Sequence, residues 1–201
     1  AVFTHGPGIV YNTKRSIAKI DDLSGLKFRI GGGMVNEISK SLGMNVTLKP
    51  APESYELLST GVMDGTLFPA ESIESFKIDK VIKHATLFPG GLYNVSFVFM
   101  MNQAKYDSMP ADVKKAIDEM SGDFAARMFG RGWDKVDRRG MAFMQAADVQ
   151  FTKADAAFVN AVKAKTAPLE GNWAQAAEAK GLKDAKKVLT EFRAEIAKLQ
   201  K

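Results

Sequence analysis

Between Lys27 and Phe88, short apolar runs alternate with stretches of helical spacing, and glycine or proline stands at most of the junctions. Lys27-Phe28-Arg29-Ile30 reads as a strand and ends in Gly31-Gly32-Gly33. Met34 to Leu42 has the spacing of a helix, with Gly43 as its stop. Asn45 to Leu48 alternates polar and apolar residues and predicts a second strand. Pro52 to Thr60 gives a short helix closed by Gly61, and Thr66-Leu67-Phe68 a third strand ending at Pro69. Glu71 to Lys83 reads as helical and Ala85 to Phe88 as extended. Strands and helices that alternate through short links predict an α/β sheet flanked by helices.

The second half changes character. Asn94 to Met101 predicts one more strand, and its apolar part, Val95 to Met101, is far short of a membrane span and suits burial. Pro110 opens a helical pattern that runs to Ala147, with breaks or bends expected at Gly122, Gly130, Gly132 and Gly140. After a short strand at Val149 to Phe151, Thr152-Lys153-Ala154-Asp155 resembles a capping box with Asp in the usual Glu/Gln place. Helices follow at Ala154 to Lys165, Trp173 to Ala179 and Asp184 to Lys198. The chain opens on Ala1-Val2-Phe3, without the basic and then apolar pattern of a signal peptide.

Composition narrows the chemistry. With 46% hydrophobic and 25% charged residues the chain is ordinary for a globular protein. It has no cysteine, which removes disulfides, thiolate metal sites and a cysteine nucleophile. The net charge of +5 favours anions. The basic residues are mixed with acids, as in Asp184-Ala185-Lys186-Lys187, instead of forming a stripe among aromatics, so no nucleic acid is expected. Gly31-Gly32-Gly33 lacks the third glycine of G-x-G-x-x-G, and Leu48-Lys49-Pro50 stands where a dinucleotide site needs an acid. His5 and His84 are the two histidines, too few for a zinc site, and no G-x-S-x-G elbow occurs. The sequence therefore calls for no cofactor, no metal and no catalytic residue.

Two features speak for anion binding. The glycine turn opens a helix whose N-terminal amides can receive an anion. Arg29 is a charged residue in an otherwise apolar strand, two positions before that turn. A guanidinium there can make two parallel hydrogen bonds to one carboxylate. The other reading is an edge-strand arginine paired with a surface acid, and the residues alone leave both open.

A longer pattern surrounds Arg29. Asp22-Leu23-Ser24-Gly25-Leu26-Lys27-Phe28-Arg29-Ile30, followed by Gly32-Gly33, resembles the D-L-x-G-L-K-[IF]-R-[VI]-x-G-G segment of the DctP family, the solute receptors of TRAP transporters. Leu42-Gly43 matches the family's L-G, and Glu53 to Gly65 matches E-x-Y-x-A-L-x-T-G-x-x-D-G. Met101-Asn102 and Met109-Pro110 follow in the family's order. The resemblance implies a two-lobed binding protein of the periplasmic type II kind. Residues 1–93 would form an α/β ligand-binding segment of the second lobe, residues 94–133 a segment returning to the first lobe, and residues 134–201 the hinge-spanning and C-terminal helices. The upstream part of the first lobe would lie outside this chain, which is expected to be a piece of a longer protein.

The same resemblance implies a periplasmic receptor that captures a small organic acid and delivers it to the TRAP membrane permease, without catalysis. By this carry-over Arg29 grips the ligand carboxylate. The second arginine of sugar-acid binders would fall near Ile9, the family's asparagine after D-G falls at Phe68, and the bulky residue before E-x-Y falls at Ala51. These departures point to a less polar ligand, an aromatic or keto acid. Phe68 and Tyr93 are expected as apolar walls, Glu71 as a polar or cation-linked contact, His5 as a contact from the Thr4–Gly8 loop, and Tyr55 as core packing. The alternatives are an enzyme of similar two-lobed fold acting on a small organic acid, and a homodimerising module built on the Ala/Lys-rich C-terminal helices.

Overall fold

A computed structural model describes residues 1–199, so the last two residues of the 134–201 segment lie outside the description. Its centre is a six-stranded mixed sheet in the order β4-β3-β5-β2-β6-β8. The strands are β2 (Ile9–Asn12), β3 (Lys27–Ile30), β4 (Asn45–Leu48), β5 (Gly65–Phe68), β6 (His84–Leu87) and β8 (Gln150–Lys153). β3 runs parallel to both β4 and β5, and β6 to β8, while β2 is antiparallel to its neighbours β5 and β6. A separate two-stranded antiparallel ribbon joins β1 (Val2–Thr4) to β7 (Ser96–Val98).

The sheet is covered on both faces, which is why its inner strands are mostly apolar. On one face Val10, Phe28, Ile30 and Leu67 pack against Val35 of α1 (Met34–Ser41) and against Phe158 and Val162 of α7 (Ala156–Thr166). On the other, Ile9, Tyr11, Phe68 and Ala85 meet Leu58 of α2 (Ser54–Ser59), Ile73 of α3 (Glu71–Ser75) and Met144 of α6 (Gly122–Ala146). Phe28 is fully buried, and a side chain of that size stabilises a fold by about 1.5–3 kcal/mol through burial. The β3–α1–β4 unit forms as its pattern predicts. Gly43 follows α1 at φ +73°, and its N–H and that of Met44 cap the carbonyls of Lys40 and Ser39 at 2.9 and 3.0 Å.

The structure departs from expectation at several points. The helix expected over Glu71 to Lys83 is α3 followed by a 3-10 turn at Ile78–Lys80, because Lys77 adopts a left-handed conformation at φ 55°. The strand expected over Asn94 to Met101 is β7 alone, and its apolar tail is exposed, Met100 at 78%. Apolarity signalled a surface that needs covering, not one already covered. Beyond β7 come α4 (Gln103–Asp107) and α5 (Ala111–Glu119); the expected break occurs at Gly122. α6 then runs 25 residues straight through Gly130, Gly132 and Gly140. Packing overrides the weak helix propensity of these glycines. Thr152 lies inside β8 and caps nothing; Asp155 caps α7 by accepting the Phe158 N–H at 2.8 Å. Tyr55 is 45% exposed, so its expected core role fails. The chain ends in α8 (Pro168–Ala179) and α9 (Ala185–Leu199). Among the described residues no helix is long and apolar enough to cross a membrane.

Candidate functional site

The register of the sheet lines up one transverse row: Thr47, Arg29, Thr66, Tyr11, Ala85 and Phe151 stand opposite one another on successive strands. Residues directly opposite share a face, so this row places three polar side chains, Arg29, Thr66 and Tyr11, beside the apolar core around Ile73 and Met144. Among the described residues the Thr66 and Tyr11 hydroxyls are buried without hydrogen-bond partners.

Arg29 is 3% exposed and sits in an interior strand, which removes the edge-strand reading. Its Nε donates to the Lys49 carbonyl at 2.8 Å, and its Cζ lies 4.6 Å from the centroid of the Phe68 ring. No carboxylate among the described residues stands within ion-pair distance of it. Burial lowers its proton affinity, and Tyr93 and Glu53 offset part of that loss. A guanidinium stays charged in such surroundings, and a buried charge without a counter-ion is costly. With Gly31, Gly32, Leu48 and Lys49 it lines a shallow depression of about 440 Å³ at the carboxyl ends of β3 and β4. Gly33 begins α1 beside it, so the expected glycine turn and the arginine do share one opening.

The other expected residues are arranged around this point. Phe68 is buried and stacks on Phe76 at 5.3 Å. Tyr93 lies in the link between β6 and β7. Reciprocal backbone bonds hold that link, Gly8 N–H to the Tyr93 carbonyl and Leu92 N–H to the Gly8 carbonyl, both at 2.9 Å. A β-carbon on Gly8 would collide with the Tyr93 ring, so glycine is required there for the ring to keep its place. Burial pushes the Tyr93 hydroxyl well above its ordinary value; Arg29 opposes this and Glu71 adds to it. His5 meets Tyr93 edge-on at 5.5 Å and also faces Phe97 and Trp133. Its Nδ1 lies 2.5 Å from the Gly6 carbonyl. Glu71 accepts from the Ser72 and Ser75 hydroxyls at 2.5 and 3.0 Å, so both its oxygens are already engaged within α3. It lines a second opening, of about 550 Å³, with Trp133 and Arg139.

The structure thus joins Arg29 to Phe68 and His5 to Tyr93 by direct contact, and places Glu71 on a neighbouring opening. Sequence reasoning missed Tyr11 and Asp137. Tyr11 lay in the unread run Ile9-Val10-Tyr11, whose bulk and flanking Gly8 were a strand signal. Burial raises its hydroxyl well above the ordinary value, with Tyr93, Asp137 and Glu71 adding to the shift. A larger cavity, about 670 Å³ between α1, α7, α8 and α9, holds none of these residues. Its charged groups, Glu170 and Arg193, bind each other at 3.0 and 2.5 Å, leaving no free charge for an anion. Among the described residues no cluster of metal-ligating side chains is present.

A TRAP periplasmic solute-binding protein from Bordetella bronchiseptica, solved with bound (R)- and (S)-mandelate, is 42% identical. It superposes on 99% of this chain and 63% of its own, with a TM-score of 0.92. A marine metagenome TRAP solute-binding protein specific for aromatic acid ligands, in complex with metahydroxyphenylacetate, is 31% identical. It covers all of this chain and 64% of its own, with a TM-score of 0.91. The outer membrane transporter protein TsaT of Comamonas testosteroni is 28% identical over 98% of this chain and 58% of its own length. The chain therefore spans less than two thirds of the relatives it matches. The family described as bacterial extracellular solute-binding protein, family 7, matches residues 1–176. The chain belongs to this family, DctP, and has its mixed α/β binding-protein fold.

Proposed function

We propose that this chain forms the carboxylate-holding part of a periplasmic receptor that captures a small, weakly polar organic acid, an aromatic acid above all, and delivers it to a TRAP membrane permease. The observation that carries this reading is Arg29: a buried guanidinium, held by one backbone carbonyl, facing an opening and lacking an acid partner among the described residues. A ligand carboxylate supplies the missing counter-charge in bidentate geometry. The Phe68 ring beneath the guanidinium supplies an apolar wall, and Tyr93 and His5 continue it. Glu71, bonded within α3, contributes through its place beside Tyr93 and not as a free anion. Relatives bound to mandelate and metahydroxyphenylacetate support an aromatic ligand.

The protein works by binding and releases its ligand unchanged. The division into a second-lobe segment (1–93), a returning segment (94–133) and a hinge-spanning and C-terminal region (134–201) belongs to the same proposal. So does a homodimer through the C-terminal helices, which α9 supports by exposing Val188, Phe192 and Ile196 at four-residue intervals. The test is a thermal-shift and calorimetric panel on the purified protein. Mandelate, benzoate and hydroxybenzoate should bind and be recovered intact, and glucuronate should not. Glucuronate binding as tight as that of the aromatic acids, or turnover of any of them, contradicts the proposal.

A further inference from the structure

The long helix α6 reaches the site through one turn, and Asp137 stands at its start. The Oδ1 of Asp137 accepts the backbone N–H of Glu71, the first residue of α3, at 3.0 Å. A β-carbon on Gly6 would collide with the same carboxylate, so Asp137 also lies directly against the connection between β1 and β2. Two positions on, Arg139 pairs with Glu74, and Gly140 lets α6 approach the Ala70 carbonyl too closely for any side chain. One turn of helix thereby grips residues 70–74 at three points.

The two segments that Asp137 touches carry Phe68 and His5 and border Tyr93. Phe68, with its ring under Arg29, precedes Ala70 by two positions. Gly6 adjoins His5 and is two residues from Gly8, against which the Tyr93 ring rests. A role as a simple helix cap explains little, because α3 has five residues and gains little from an end that costs a half-buried carboxylate. Gly6 leaves the room that the carboxylate occupies, and the Glu71 amide donates to it.

We propose that Asp137 is a positioning residue for ligand recognition: from α6 it fixes the Phe68–Glu71 turn against the His5–Gly8 connection and so sets the spacing of the aromatic walls around the Arg29 anchor. This rests on the reading of Arg29 as a carboxylate anchor. It assigns to Asp137 the affinity for the body of the ligand, and leaves to Arg29 the preference for its acid group. Binding is strengthened when the receiving groups are already held in place, because less ordering remains to be done on association.

The test uses the purified protein with mandelate and its amide, mandelamide, as probes in calorimetry. Hydrogen bonds to charged groups are worth enough that Asp137→Ala should weaken both probes by roughly ten- to a hundredfold. It should leave the acid-over-amide preference unchanged. Asp137→Asn keeps an acceptor for the Glu71 amide and should recover much of the loss, and it serves alone if the alanine variant does not fold. Combining either variant with Phe68→Leu should cost less than the product of the separate losses, since both act on one wall. A folded Asp137 variant that binds mandelate as wild type does, or losses with Phe68→Leu that simply multiply, would overturn the proposal. So would a variant that loses the acid preference, because Asp137 would then act through Arg29. Wild-type binding that survives Arg29→Ala, or no wild-type binding of mandelate, removes the anchor reading itself, and the inference falls with it.

Discussion

The Arg29 guanidinium lies over the Phe68 ring, 4.6 Å from its centroid, and the same ring stacks on Phe76 at 5.3 Å. Phe68 thus serves the cation and is itself held by a second ring. A cation over an aromatic face gains about 0.5–2 kcal/mol that an aliphatic side chain of similar bulk does not supply. Phe68→Leu should therefore weaken binding of mandelate roughly two- to thirtyfold, with a smaller effect on thermal stability than Phe68→Ala. Calorimetry and a melting curve measure the two together. Unchanged affinity would reduce the ring to core filling.

Gly140 lets α6 approach the Ala70 carbonyl at a distance no β-carbon could share. The obstacle is backbone, which cannot swing aside as a long side chain would. Gly140→Ala should cost about 1–3 kcal/mol through overpacking. At Gly130, in the same helix, a β-carbon meets no atom within contact distance. Gly130→Ala should instead stabilise by up to about 1 kcal/mol through helix propensity. Chemical denaturation of both variants checks the order, and equal shifts would contradict the close approach of α6 to the Ala70 turn.

Asp137 carries a pH signature. Burial raises its proton affinity above the ordinary carboxylate value, the Glu71 amide counters part of this, and Glu71 and Asp134 add to it against an opposing pull from His5. The native state then holds this proton more tightly than the unfolded chain does, so the stability it contributes is full below the unfolded value of about 3.9. That contribution declines as pH rises through the higher native value. The stability of wild type minus that of Asp137→Asn should fall from acid toward neutral pH across that window. Urea melts of both proteins at matched pH give the difference directly, and a rising difference would reverse the assignment.

Much of this could be read in the residues, for reasons that differ along the chain. The β3–α1–β4 unit was legible because its periodicity and its stop at Gly43 are local. Arg29 stood out because a charge in an apolar strand is chemically unusual, and the structure places it at the carboxyl end of β3. Asp137 was not legible. It lies 66 positions from the Glu71 amide it serves, and nothing in Lys135-Val136-Asp137-Arg138 separates it from a surface acid. Gly130, Gly132 and Gly140 misled because helix propensity is weaker than the packing that α6 receives. Val95 to Met101 misled in another way, since an apolar run records that something should cover it without saying what.

The account rests on Arg29 as the anchor for a carboxylate. Truncating one partner of a buried, hydrogen-bonded charge pair costs about 2–5 kcal/mol. Arg29→Lys should recover part of that, because an ammonium keeps the charge and loses the fork. Titration of mandelate and mandelamide into wild type and Arg29→Ala by calorimetry tests this most directly. Wild type should strongly prefer the acid, and the Arg29→Ala protein, still folded, should bind acid and amide alike and weakly. If that protein binds mandelate as wild type does, the carboxylate is held elsewhere and the central claim is wrong.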